Sequence, residues 1–458
     1  MKIGSINILG EIMGNRIDKT IELVKVSFTS RLKGTLNLPS SKSSSTRALL
    51  TSAVTTGESK IANVATGFNT ISMKKNCERL GATYKEKDGI LIVNGIDIHS
   101  VNNPIDFDPG NSGVVLRLFM GVAGYLPESR FTTEYENSLG VRSQTEMVHA
   151  LRMLNVHCES MGEDDRLPIK IKSNRKLANY TEVSCRKSSQ FLSGLLYLGA
   201  IGNEDLTIRV TDSITAPSMV HTTINNLKRA GGEISFDKDF RTFFVNGKKQ
   251  LTATNFEVGS DPASTAAILA LCGSMNSDVI LSGFFEEELG NGAVIQYLLD
   301  SGTGIEFLAD NKIRISGTPD IRPLDFDGSL APDAVPALAA RAAFANGTST
   351  FYNIEHIRYK ESDRISDFRR ELSKLGVKSD EKQDQLIIHG NPLGYDGGVT
   401  LDGHYDHGLI MALTTIGMHC REPILIKEPY HVGQTYPEYF SEVKYLGAEI
   451  SELAKKNS

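Results

Sequence analysis

Residues 227–247 read LKRAGGEISFDKDFRTFFVNG. A helix-like tail runs into Gly231, and two alternating strand-like runs follow it with a turn between them. Glycine commonly closes a helix in the left-handed conformation, and strict alternation marks a half-buried strand. The stretch therefore reads as helix end, turn and β-hairpin. The same signature recurs as CERLGATYKEKDGILIVNG (77–95), LRMLNVHCES (151–160) with LPIKIK (167–172), YLLDSGTGIEFLADNKIRISG (297–317), LSKLGVKSDEKQDQLIIHG (372–390) and a truncated VKYLGAEI (443–450). The turning residues Gly81, Asn155, Gly231, Gly302, Gly376 and Gly447 are 74, 76, 71, 74 and 71 residues apart. Self-similarity at a fixed period is the mark of a repeat architecture.

Each repeat carries a second signature upstream, an apolar small-residue run reached through a short polar segment: SSSTRALLTSAV, GNSGVVLRLFMGVAG, SSQFLSGLLYLGA, DPASTAAILALCG, PDAVPALAARAAFA and DHGLIMALTTIGM. These runs are hydrophobic on nearly every side, so they read as buried helices. Their leading residues are Lys42, Asn111, Ser188, Asp261, Asp333 and Asp406. A buried helix start presents unpaired N–H groups and the positive end of the macrodipole, so a polar residue there either caps the helix or helps to bind an anion. Six units of strands and helices imply an α/β fold in two domains of three units each, with connections near residues 40 and 258.

With 458 residues, 40% hydrophobic and 23% charged, the chain has material for two cores, since single cores stop growing near roughly 250–300 residues. The net charge of -6, from 49 Lys+Arg against 55 Asp+Glu, gives no whole-molecule attraction to nucleic acid or anionic membrane. The expected partners are small anionic molecules held by local cations. No apolar run is long enough to span a membrane, and the first residues lack the order of a secretory signal, so a cytoplasmic protein is expected. Cys77, Cys158, Cys185, Cys272 and Cys420 show neither disulfide nor zinc spacing and read as buried thiols. Neither a Rossmann nor a Walker glycine pattern occurs, so neither a cofactor nor a metal is expected. Only the terminal KKNS looks frayed.

The polar segments are where chemistry concentrates. LPSSKSSSTRALL sets Lys42 and Arg47 about one turn apart beside serines, which suits a phosphate or a carboxylate. GNSGVVLRL offers Gly110 and Gly113 for close backbone approach, with Arg117 one turn in. RKSSQFLSG follows Lys187 with three hydrogen-bonding side chains, Ser188, Ser189 and Gln190. HIRYKESDRISDFRREL holds Lys360, Glu361, Asp363 and Arg364, and in isolation that alternation reads as a solvated helix surface. LAPDAVPALA opens an apolar helix with Asp333, a partly desolvated carboxylate and so a candidate base.

Together these segments resemble the enolpyruvyl transferases, most closely the 5-enolpyruvylshikimate-3-phosphate synthases, from about residue 34 to residue 450. The motifs LPSSKSSSTRALL, DPGNSGVVLRL, KSSQFLSGLL, PDAVPALA, RYKESDRI, YDHGLIMAL and QTYPEYF stand in family order. The resemblance implies a two-domain fold of six βαβαββ-type repeats around an interdomain cleft. It places 41–258 as the domain on the ring-phosphate side, and 1–40 plus 259–458 as the domain on the phosphoenolpyruvate and acid–base side. It also implies a monomer without metal that transfers the enolpyruvyl group of phosphoenolpyruvate to shikimate 3-phosphate or a similar cyclic phosphorylated carboxylate, with release of phosphate. By the same resemblance Lys42, Ser43, Arg47, Ser188, Ser189, Gln190 and Lys360 hold the ring, while Lys42, Arg142 and Arg364 face phosphoenolpyruvate. Asn111, Gly113 and Thr215 join the substrate-binding set. Asp333 and Glu361 are the acid/base carboxylates and Lys42 belongs with them in the catalytic set. A sister activity on a UDP-amino sugar needs a cysteine between the second helix start and Arg142, and none lies between Cys77 and Cys158.

The pattern breaks at four positions. The family's D-H-R triplet is Asp406-His407-Gly408, the lysine expected before the aromatic-Pro motif is Gln434, and Ser218 and His356 stand where Tyr and Asn are usual. Two lost charge-assisted hydrogen bonds at about 1.5–3 kcal/mol each weaken the phosphoenolpyruvate side by about 3–6 kcal/mol, or about a hundred- to ten-thousand-fold. The losses leave two alternatives to transfer: a paralogue that eliminates phosphate or water from a shikimate-type ring without phosphoenolpyruvate, and a non-catalytic anion binder.

Overall fold

A computed structural model describes residues 18–284 and 290–454; the terminal KKNS lies outside them. The chain separates into two compact units. A split unit takes residues 18–39, 260–358 and 362–454 of the described chain, and a continuous unit takes Ser40–Gly259 with Tyr359–Glu361.

Among the described residues there are six four-stranded sheets, all wound alike. In the sheet that contains the opening stretch, Tyr180–Val183 runs parallel to Leu206–Val210, with the buried helix Gln190–Ala200 between them in the chain. The amphipathic helix Pro217–Arg229 then leads to the hairpin Glu233–Phe236 and Thr242–Asn246, whose second strand pairs antiparallel with Leu206–Val210. This is a βαβαββ unit. The turning residue of every repeat has positive φ, from 65° at Asn155 to 114° at Gly81. Glycine adopts that conformation without strain and asparagine at lower cost than most residues, which is why the period is visible in the sequence.

Two units are completed by strands distant in sequence. Leu32–Asn37 pairs parallel with Ser277–Ser282 in the split unit, whereas Asn255–Glu257 pairs parallel with Gly57–Ala62 in the continuous unit. The truncated sixth repeat, whose hairpin signature stops at VKYLGAEI, takes its missing strand from the other end of the chain: Ile21–Val26 lies between Ile424–Lys427 and Ile450–Ala454.

Each unit has its own hydrophobic core. Helices Gly113–Val122 and Gln190–Ala200 are buried on almost every side, and so are Pro262–Gly273, Val335–Ala342 and His407–Gly417. Gly121 and Gly194 let the first pair touch backbone to backbone, because a Cβ on Gly121 would fall 2.0 Å from the Gly194 carbonyl oxygen. That approach brings the polar starts of both helices to one place. Among the described residues no helix is long and apolar enough to cross a membrane.

Candidate active site

In the continuous unit three predicted segments converge on Gly113. Ser112 caps its helix by accepting from the Val115 N–H, which ends the polar GNS segment and starts the apolar run. A Cβ on Gly113 would lie 3.2 Å from both Arg117 Nη1 and Arg142 Nη1, and 3.3 Å from Gln190 Oε1. Glycine here is therefore a matter of room for two guanidinium groups. Arg117 donates from Nη1 to Gln190 Oε1 at 2.8 Å and to Ser188 Oγ at 3.2 Å, and from Nε to Gln144 Oε1 at 3.1 Å. Its guanidinium also stacks on Phe191 at 4.6 Å. Burial, then the charge of Arg142, push the Arg117 pKa down to about 9, while Glu146 and Glu361 pull the other way. Arg142 is oriented by Ser138, which accepts from Nη2 at 3.3 Å. Two residues before Gly113, Asn111 is 7% exposed, and neither its Oδ1 nor its Nδ2 has a hydrogen-bond partner in the protein. Two adjacent cations next to an unsatisfied buried amide are the donor set that an anionic, hydrogen-bonding ligand requires.

Arg117 was read from the sequence only as a cation one turn into its helix, yet it is the residue that ties Ser188 and Gln190 together. Ser189 is buried and its carbonyl accepts from the Ser193 N–H. Thr215, expected to bind substrate, donates to the Arg186 carbonyl at 2.7 Å and so secures the loop that carries Ser188.

Lys42 and Ser43 open the helix Lys42–Ala53 behind the cap Ser41, and both are half-buried. Arg47 turns inward: it is 1% exposed and donates to Thr223 Oγ1 at 2.7 Å, the Ser43 carbonyl at 3.0 Å and the Met219 carbonyl at 3.3 Å. Burial lowers its pKa to about 10. These bonds tie the Lys42 helix start to helix Pro217–Arg229. Lys360 and Glu361 are half-buried on the segment that counts with this unit, where Ser138 donates to the Glu361 carbonyl at 3.1 Å.

In the split unit Arg364 is the centre. Its Nη1 donates to Asp333 Oδ1 at 2.8 Å, its Nε to Asp406 Oδ2 at 2.8 Å and its Nη2 to Asp406 Oδ1 at 3.0 Å. Arg364 and Asp406 are 1% and 0% exposed, and Asp333 is 20% exposed. Asp333 sits on the short turn Pro332–Ala334 ahead of helix Val335–Ala342. Asp406 also caps helix His407–Gly417 through the Gly408 N–H at 2.8 Å and accepts from Ser362 Oγ at 2.9 Å. A Cβ on Gly408 would start 3.3 Å from Arg364 Cζ. Asp261, of the same spacing class, is a cap for Ser264. His356 is buried on the turn Glu355–Tyr359.

The family model for EPSP synthase (3-phosphoshikimate 1-carboxyvinyltransferase) matches residues 26–443. A 3-phosphoshikimate 1-carboxyvinyltransferase of Burkholderia pseudomallei is 68% identical over 95% of this chain and 96% of its own. The enzyme of that name from Deinococcus radiodurans is 32% identical over 96% and 98%. Among solved structures, an EPSP synthase from Acinetobacter baumannii superposes with a TM-score of 0.75 at 22% identity, covering 94% of this chain and 100% of that one. The enolpyruvyl transferase NikO from Streptomyces tendae gives 0.74 at 15% identity, over 95% and 100%. These two structures bear on the fold, which they share.

Proposed function

The chain belongs to the EPSP synthase (3-phosphoshikimate 1-carboxyvinyltransferase) family, and from that premise we propose that it moves the carboxyvinyl group of phosphoenolpyruvate onto a hydroxyl of shikimate 3-phosphate. The observation that carries this reading to the site is the pairing of Arg117 and Arg142 over Gly113, two residues after Asn111 with its unsatisfied amide. Such a set fits a small polyanion. The substrates are taken to be small and anionic, and the enzyme to be a cytosolic monomer.

In the reaction the substrate hydroxyl oxygen bonds to C2 of phosphoenolpyruvate while C3 takes a proton. The C2–O bond to phosphate then breaks and C3 loses a proton, which restores the vinyl group. One carboxylate accepts the hydroxyl proton and another handles the proton at C3; Asp333 and Glu361 are assigned these roles. Arg364 at 2.8 Å fixes Asp333; Arg364 and Arg142 are each assigned to the carboxylate or phosphate of phosphoenolpyruvate. Lys42, Ser43, Arg47, Ser188, Ser189, Gln190, Thr215 and Lys360 are assigned to the ring and its phosphate. For Arg47 and Thr215 the hydrogen bonds just described support an indirect share, through the backbone they hold.

Similarity at 68% identity to a protein named for carboxyvinyl transfer disfavours the two alternatives left open by Gly408 and Gln434, elimination and non-catalytic binding. The deciding experiment incubates the full chain with shikimate 3-phosphate, with and without phosphoenolpyruvate, and follows phosphate release and product mass. Transfer requires release only with both substrates and a mass gain of one carboxyvinyl group. Release without phosphoenolpyruvate would overturn it.

A further inference from the structure

The turn ahead of Asp406 contains two successive residues in the left-handed region, His404 at φ 49° and Tyr405 at φ 56°. Neither is glycine, and side-chain-bearing residues keep that conformation only where the surroundings over-determine it. Two side chains from other elements do so here. Glu371, on helix Ser366–Lys374 and 0% exposed, accepts from the Asp402 N–H at 2.9 Å, from His404 Nε2 at 3.0 Å and from Lys374 Nζ at 2.6 Å. Gln434, 1% exposed, donates from Nε2 to the Tyr405 carbonyl at 2.8 Å. The chain then enters Asp406, whose two oxygens hold Arg364, which holds Asp333.

Gln434 keeps this contact at a cost. Its Oε1 is buried with no partner, a penalty that an apolar side chain of the same shape would avoid. The bond from Nε2 to Tyr405 is what the amide provides there. Because the elements are close-packed, a shift of Tyr405 is passed on to Asp406 rather than absorbed.

We propose that Gln434 and Glu371 are positioning residues that set the Arg364–Asp333 pair by holding the strained turn before Asp406. At position 434 the lysine expected from the family pattern is thus replaced by a residue that acts on the site through the backbone. This rests on the reading that Arg364 faces phosphoenolpyruvate. The test is steady-state kinetics on the full chain with both substrates varied, for Gln434→Met, Gln434→Lys, Glu371→Gln and Arg364→Lys, with thermal unfolding of each. Gln434→Met should raise KM for phosphoenolpyruvate about tenfold, as misplacement of a binding group does, and leave KM for shikimate 3-phosphate within about twofold. Glu371→Gln should act in the same direction, whereas Gln434→Lys, which keeps a donor for Tyr405, should not. If Arg364→Lys raises KM for phosphoenolpyruvate but Gln434→Met and Glu371→Gln change only the melting temperature, the two residues are merely structural and the proposal fails. If Arg364→Lys also leaves that KM unchanged, the assignment of Arg364 fails, and the inference falls with it.

Discussion

Asp406 and Asp333 share one guanidinium, and replacing each in turn by asparagine should separate stability from catalysis. Asp406 is 0% exposed and accepts from Arg364 at both oxygens; Asp333 is 20% exposed and accepts from Arg364 Nη1 at Oδ1. At an effective dielectric of about 20, a charge pair at ~4 Å is worth about 4 kcal/mol and two carboxylates ~7 Å apart repel by about 2 kcal/mol. For these three charges taken alone, removing one carboxylate therefore costs a net ~2 kcal/mol before solvent is considered. In Asp406→Asn a further ~1 kcal/mol is lost, because one Arg364 N–H then faces an amide NH2 with no water to relieve it. In Asp333→Asn water reaches the site and screening brings the loss to about 1 kcal/mol or less. The expected order is Asp406→Asn less stable than Asp333→Asn by about 2 kcal/mol, which moves a urea midpoint by roughly 0.5–1 M. The sequence contains no tryptophan, so far-UV circular dichroism is the suitable probe. Activity should follow the opposite order, with Asp333→Asn losing on the order of a hundred-fold or more in kcat as a general acid/base does. Equal destabilisation, or a larger loss for Asp333→Asn, would refute the reasoning from burial.

Burial raises the Glu442 carboxyl to about 7 despite the hydrogen bond that Tyr436 donates to it, against about 4.3 in an unfolded chain. The native state holds the proton more tightly, so this stability is full below about pH 4 and is lost as pH rises through 7; Glu442→Gln should flatten the decline and gain about 2–3 kcal/mol at pH 8 in denaturant titrations, and an unchanged pH profile would contradict this. All five cysteines are buried, and burial pushes Cys77, Cys158 and Cys272 up to about 12 and Cys420 to about 11, with Cys185 raised as well. A thiol reagent at pH 8 should label none of them quickly in the native protein and all of them after unfolding. Lys42→Ala should weaken shikimate 3-phosphate binding about ten- to a hundred-fold, the worth of one charge-assisted bond; calorimetric titration showing an unchanged Kd would remove Lys42 from the site.

The repeat was legible because its marker is local. A helix-closing position at positive φ favours glycine or asparagine, so Gly81, Asn155, Gly231, Gly302, Gly376 and Gly447 show in the sequence what the backbone does. The pairing of Ile21–Val26 with Ile450–Ala454 was not legible, since alternation says that a strand exists and not which distant strand it joins. The same holds for Leu32–Asn37 and Asn255–Glu257, each of which completes a sheet whose other strands lie elsewhere in the chain. Helix starts were legible as polar positions only. Asp261, Asp333 and Asp406 share a spacing, but Asp261 caps its helix through Ser264, Asp333 pairs with Arg364, and Asp406 does both.

The arginines show why the site itself was harder to read than the fold. Arg47, Arg117 and Arg341 each stand in an apolar helix, and sequence pattern treats them alike. All three are buried, and burial lowers each pKa, to about 10, 9 and 10. Arg341 donates to the Gly273 and Ser301 carbonyls and to the Ser301 and Thr303 hydroxyls, all from its own unit. Lack of a carboxylate partner therefore does not by itself define an anion site. Arg117 differs in its surroundings. A second guanidinium, Arg142, meets it over a glycine, and the amide of Asn111, two residues before that glycine, is unsatisfied. Like charges brought together repel one another, and a ligand of opposite charge that also bonded the Asn111 amide would offset that cost, as Glu146 and Glu361 do in part for Arg117. That combination depends on Ser112, Ser138, Gln144, Ser188 and Gln190 meeting from separate segments of the chain, and it exists only after the glycine-to-glycine contact of two buried helices has brought them there.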